Sequence, residues 1–113
     1  MASPKNMKLS KPSHRPPTSL GEVLLEEFIK PLQLTQKEVS SAIAVPFQRL
    51  NAIVNGRRAV SVSTALRLAK YFGTSAELWL DLQQKMDLYN SLKKEQAVLD
   101  EIKPLRNLGG QAA

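Results

Sequence analysis

Phe47, Gln48 and Arg49 stand in a row behind Pro46. Their side chains are of the kinds that read base-pair edges: an amide matches adenine N6 and N7, a guanidinium matches guanine O6 and N7, and an aromatic ring can lie on a thymine methyl. Asn51 follows two residues later. Groups suited to phosphate flank this run, with Gln36 and Lys37 before it and Asn55, Arg57 and Arg58 after it. Some of these have a plainer alternative. Phe47 has the size to pack on a helical bundle, a surface arginine such as Arg49 is usually a solvated charge, and a dibasic pair by itself means little.

Other chemistry is poorly supplied. Cysteine is absent, which excludes disulfides and thiolate metal sites, and the single histidine, His14, has no partner at ligand spacing. No glycine loop to cradle phosphate and no nucleophile–base pair occurs, so neither an enzyme nor a cofactor nor a metal is expected. The chain has 113 residues, enough for one domain, and no apolar run long enough to span a bilayer. Sixteen Lys and Arg against ten Asp and Glu leave +6, the footprint of a nucleic-acid binder but also of many ribosome-associated or simply soluble basic proteins. That charge is uneven. Residues 1–17 carry Lys5, Lys8, Lys11 and Arg15 and no acid, residues 18–75 carry a smaller excess of base, and the remainder is close to neutral.

The elements that must position these groups are helical. Leucine occurs seventeen times against eleven Val plus Ile, and no stretch alternates with period two for long. Residues 1–17, with four prolines and almost no large apolar side chain, read as a disordered basic tail. A first helix is expected over residues 20–29, capped by Thr18 or Ser19, ended by Pro31, and facing inward with Leu20, Leu24 and Phe28. A capping box, Thr35-Gln36-Lys37-Glu38, opens a second that ends near Ile43. Pro46 opens a third, closed by Gly56; a fourth begins after Ser61 or Ser63 and stops before Gly73. A second capping box, Thr74-Ser75-Ala76-Glu77, opens a fifth, which Asn90-Ser91 either interrupts or does not. Residues 18–90 are thus expected to form the domain, with 91–113 a helical extension and frayed end.

Only Ala44 and Val45 join the second and third helices, so the two must cross steeply. Counted from Gln36, apolar residues fall at Val39, Ile43, Val45, Leu50 and Ile53, with small Ser40 and Ala44 at the crossing and turn. That is the pattern of a helix-turn-helix, whose third helix would present its first turn to the major groove. The segment from Leu34-Thr35-Gln36 through Asn55-Gly56-Arg57-Arg58 resembles the phage-repressor class of this motif. With Gly21-Glu22-Val23-Leu24-Leu25 before it and Thr64-Ala65-Leu66-Arg67-Leu68-Ala69-Lys70-Tyr71-Phe72-Gly73-Thr74-Ser75-Ala76-Glu77-Leu78-Trp79 after it, residues 16–90 resemble the HigA-type antitoxins. Ser40 stands where the class usually has alanine, and Ala44 where it usually has glycine. A positive φ at Ala44 would cost about 1 kcal/mol, so a slightly altered turn and a re-aimed third helix are expected.

The resemblance implies an all-α, five-helix, phage-repressor-like domain in the bacterial cytoplasm. It implies an antitoxin that represses its own operon on double-stranded operator DNA and holds a cognate RelE-like toxin, a ribosome-dependent mRNA endonuclease, inactive. A stand-alone repressor without a toxin is the alternative. Trp79, Leu82, Met86 and Tyr89 recur at three- and four-residue steps, a spacing that serves a monomer core or a homodimer seam, and the seam is the expectation. Arg67 and Lys70 are expected to be a solvated face. Glu22, Glu26 and Glu27 give the first helix an acidic side.

Overall fold

The computed structural model describes residues 15–105, so His14 and most of the basic tail, like the end beyond 105, lie outside the described residues. Among the described residues the chain is five helices without a strand. Helix α1 starts as an α-helix over Leu20–Val23 and passes directly into a π-helix over Leu24–Ile29. It is followed by α2 (Gln36–Ile43), α3 (Phe47–Val54), α4 (Val62–Phe72) and α5 (Ala76–Glu101).

Local chemistry explains most of these boundaries. Ser19 caps α1 by accepting from the Glu22 amide at 3.1 Å. At α2 the capping box forms in full: the Glu38 amide donates to Thr35 Oγ1 at 3.0 Å, and the Thr35 amide donates to Glu38 Oε1 at 2.8 Å. Thr35→Ala removes one half of this pair and is expected to lower stability by about 1 kcal/mol, readable as a shifted urea midpoint at unchanged m-value. Ser61 caps α4 through the Thr64 amide.

Helix α5 departs from the expected box. Its cap is Ser75, which accepts from the Leu78 amide, and Thr74 is occupied instead as acceptor for the Trp79 indole at 2.8 Å. Nor do Asn90 and Ser91 break it. The helix continues to Glu101, so the extension assigned to residues 91–113 is, that far, the same element as the domain's last helix.

The core is built from all five helices. Leu20 and Leu24 of α1 are buried at spacing four, but the next buried residue is Ile29, at spacing five, with Phe28 only half-buried. The π-turn is the cause: i→i−5 bonds, such as the Lys30 amide to the Leu25 carbonyl at 3.0 Å, admit one extra residue and rotate Ile29 inward. Val39, Leu50 and Leu68 are wholly buried between α2, α3 and α4.

Trp79, placed by its spacing at a dimer seam, is 0% exposed and belongs to the monomer core. Its ring lies 5.2 Å from Phe28 and 6.4 Å from Phe72, centroid to centroid, with its N–H satisfied by Thr74. Leu82, Met86 and Tyr89 remain half-buried. No residue of α5 after Trp79 is fully buried.

Three helices end in the same way. At α3 and α4 the left-handed residue is glycine, Gly56 at φ 76° and Gly73 at φ 74°. At α2 it is Ala44, at φ 59° and ψ 47°. The Val45 amide bonds the Ser40 carbonyl at 3.0 Å and the Ala44 amide bonds the Ser41 carbonyl at 3.2 Å, which is a Schellman closure. The turn is therefore not altered to spare the alanine. Ala44 takes the glycine conformation and bears the strain of about 1 kcal/mol.

Candidate nucleic-acid interface

Burial divides α3 into two faces. Leu50 and Ile53 are 0% and 3% exposed and fasten it to the core, so Phe47, Gln48 and Arg49 of the first turn are carried outward, Phe47 at 42% exposure. The alternative in which Phe47 packs on the bundle is thus only partly met: its ring is free enough to reach a partner. Pro46 stands just before them as the N-cap, one place earlier than a first helical position, with φ −56°. An exposed first turn bearing an amide, a guanidinium and an aromatic ring is the geometry that enters a major groove.

Asn51 is half-buried and does something the sequence did not reveal. Its Nδ2 donates to Gln36 Oε1 at 3.0 Å, joining the start of α2 to the middle of α3. Its Oδ1 accepts from Asn55 Nδ2 at 3.1 Å and from Arg57 Nη2 at 3.4 Å. Gln36, Asn51, Asn55 and Arg57, which sequence alone treats as separate contacts, are one hydrogen-bonded chain. With the Gln36 oxygen accepting from Asn51, its NH₂ remains a donor, the polarity a phosphate oxygen needs. Lys37 and Arg58 are exposed at either end.

The helix-turn-helix family matches residues 25–79. An uncharacterized HTH-type transcriptional regulator of Haemophilus influenzae is 38% identical over 92 residues, covering 80% of this chain and 86% of its own length. Antitoxin HigA-1 of Vibrio cholerae is 32% identical over 91 residues, again 80% of this chain and 86% of its own. The chain belongs to the HigA-type antitoxin family. In agreement, the structure of the Pseudomonas aeruginosa antitoxin HigA with the higBA promoter superposes with a TM-score of 0.76 at 32% identity, over 80% of this chain and 99% of that one.

Three residues of this HigA-type chain support the interface without a signal strong enough to single them out. Gly21 is buried where α1 meets the C-terminal end of α3, and a Cβ placed there would overlap the Val54 carbonyl. A glycine near the start of a helical run does hint at such an approach. Gln83 of α5 accepts from the Val60 amide at 2.9 Å and donates to Asp87, tying the loop after Arg58 to the last helix. Arg67 is not merely a solvated charge. Its Nη1 donates to the Ile43 carbonyl at 2.9 Å and the Ala44 carbonyl at 3.1 Å.

Along the far part of α5, Lys93 Nζ lies 5.3 Å from the Tyr89 ring centroid. Met86 and Asn90 help line a groove of about 210 Å³ that also touches Gly21, Arg57 and Arg58. No helix among the described residues is long and apolar enough to cross a membrane.

Proposed function

We propose that this chain is an antitoxin that represses its own operon by laying α3 in the major groove of operator DNA, and that it binds and silences a RelE-like mRNA endonuclease. The exposed first turn of α3, steadied from behind by the Asn51 to Gln36 bond, is the observation that carries the DNA half. Gln48 and Arg49 are the base readers and Phe47 the contact to a thymine methyl. Gln36, Lys37, Asn55, Arg57 and Arg58 hold phosphates, and Asn51 acts chiefly by orienting Gln36 and Arg57. The Pseudomonas relative, solved with promoter DNA, supports this reading, and the likeness to HigA-1 supports the toxin half.

Two copies would pair along α5 through Leu82, Met86 and Tyr89, with Trp79 contributing only by fixing the helix on its own domain. Such a pair sets two recognition helices about 34 Å apart, one turn of a palindromic operator.

Co-expression with the neighbouring small basic reading frame tests the toxin half. Rescue from lethality with co-purification is expected, whereas operator binding without a co-purifying toxin would make this a stand-alone regulator. Light scattering on operator duplex should give two chains per site. With Lys37, Arg57 and Arg58 of each copy on phosphate, log K should fall against log salt with a slope of roughly −5. A slope near zero would remove these residues from the interface.

A further inference from the structure

We infer that Arg67 sets the aim of the recognition helix by holding Ala44 in its left-handed conformation. The inference rests on the DNA-reading function proposed above for α3 and adds a residue that touches no DNA.

Ala44 is the hinge of the motif. Its φ and ψ of 59° and 47° decide the direction in which the chain leaves α2, and α3 begins three residues later at Phe47. A change at that one residue would swing the whole of α3, and with it Gln48 and Arg49. Glycine would hold this conformation without steric cost, whereas alanine returns readily to the right-handed or extended regions unless something opposes it. At the ends of α3 and α4 the problem does not arise, because Gly56 and Gly73 occupy the equivalent places.

At α2 the two Schellman bonds oppose that return from the amide side, and Arg67 adds opposition from the carbonyl side. One guanidinium nitrogen bridges the carbonyls of Ile43 and Ala44, the last of α2 and the first of the turn, and the bridge requires both to point the same way. Its positive charge sits at a helix C-terminus, where the backbone carbonyls favour it. Arg67 is itself exposed, but the helix that carries it is fixed to the core by the buried Ala65 and Leu68. Packing does not clamp this side of the turn: Ala42, Ala44, Leu66, Arg67 and Tyr71 border an open hollow of about 330 Å³.

The test is a comparison of binding to a duplex from upstream of the chain's own gene with binding to a scrambled duplex of equal length. Arg67→Met should reduce the preference for the upstream duplex about tenfold, the discrimination carried by one well-placed base contact. The salt slope should stay at its parent value, because no phosphate contact is lost. Arg67→Lys, which can still reach one carbonyl, should lose less and serves if the methionine variant does not fold. The decisive variant is Ala44→Gly added to Arg67→Met, which should recover most of the lost preference by removing the strain that Arg67 opposes.

An unchanged preference in Arg67→Met overturns the inference. So does a salt slope that weakens by about one, which would make Arg67 a phosphate contact. Failure of Ala44→Gly to rescue would place the effect of Arg67 elsewhere and likewise overturns it. The DNA-reading function fails separately, if Gln48→Ala with Arg49→Ala keeps the preference.

Discussion

Replacing Gly21 by alanine will lower the melting temperature of this protein by about 12 °C, although alanine is the better helix former. Intrinsic propensity alone predicts the opposite, a gain of about 1 kcal/mol for an alanine in place of a helical glycine. The contact across the helices decides the sign. A Cβ at position 21 would overlap the Val54 carbonyl and stand 2.9 Å from the Val54 Cα. The obstacle is backbone, so no side-chain rotation relieves it. Helix α1 cannot retreat cheaply, because Leu20 and Leu24 on either side of Gly21 are 4% and 0% exposed. Overpacking of this kind costs about 3 kcal/mol. In a domain of this size each kcal/mol is worth about 4–8 °C near the transition.

Gly56→Ala provides the contrast: a Cβ there meets nothing within 4 Å, so only the strain of φ 76° is added. It should cost about 1 kcal/mol. Thermal melts followed by circular dichroism measure both. A Gly21→Ala protein as stable as the parent would mean that α1 and α3 do not approach as closely as the structure has them.

The largest functional effect is expected from Gln48→Ala combined with Arg49→Ala. Each bidentate base contact discriminates by about 1–3 kcal/mol, so removing both should reduce the preference for operator over scrambled duplex about a hundredfold or more. Stability should hardly change. Both side chains are exposed, and the helix is held by Leu50 and Ile53 on its other face. Arg57→Ala should behave differently, weakening binding to all duplexes alike and lowering the salt slope, because a phosphate carries no sequence information. Footprinting on the upstream duplex, with circular dichroism to confirm unchanged helicity, reads the outcome. An intact footprint would show that the first turn of α3 is not what reads the DNA.

The boundaries that were legible in the sequence belong to interactions closed within a few residues. Thr35 and Glu38 satisfy each other across three residues, Gly56 and Gly73 supply the backbone freedom their own helix ends need, and Pro46 restricts the residue beside it. Such signals read as well in a string as in a fold. The outward direction of Gln48 and Arg49 was legible for a related reason, since helical period alone places them opposite Leu50 and Ile53.

Trp79 shows where that reasoning stops. Its spacing with Leu82, Met86 and Tyr89 suits a core and a dimer seam equally, because a period says that one face of a helix is covered but not by what. The position of Phe28 and Phe72 around the ring settled it. The one-residue shift that buries Ile29 came from a π-turn, which a regular helical period does not encode.

What the sequence determined by itself was the fold class, the helix-turn-helix and the turn that faces outward, all products of local propensity and period. Only the tertiary structure decided how those parts are aimed. The Asn51 to Gln36 bond spans fifteen residues and the Arg67 to Ile43 bond twenty-four, and the closeness of Gly21 to Val54 exists only once α1 and α3 are packed. The physical reason is that a side chain's donors and a glycine's missing Cβ acquire meaning from whatever backbone the fold brings beside them. That neighbour is set by the packing of the whole domain, not by the residues adjacent in the chain.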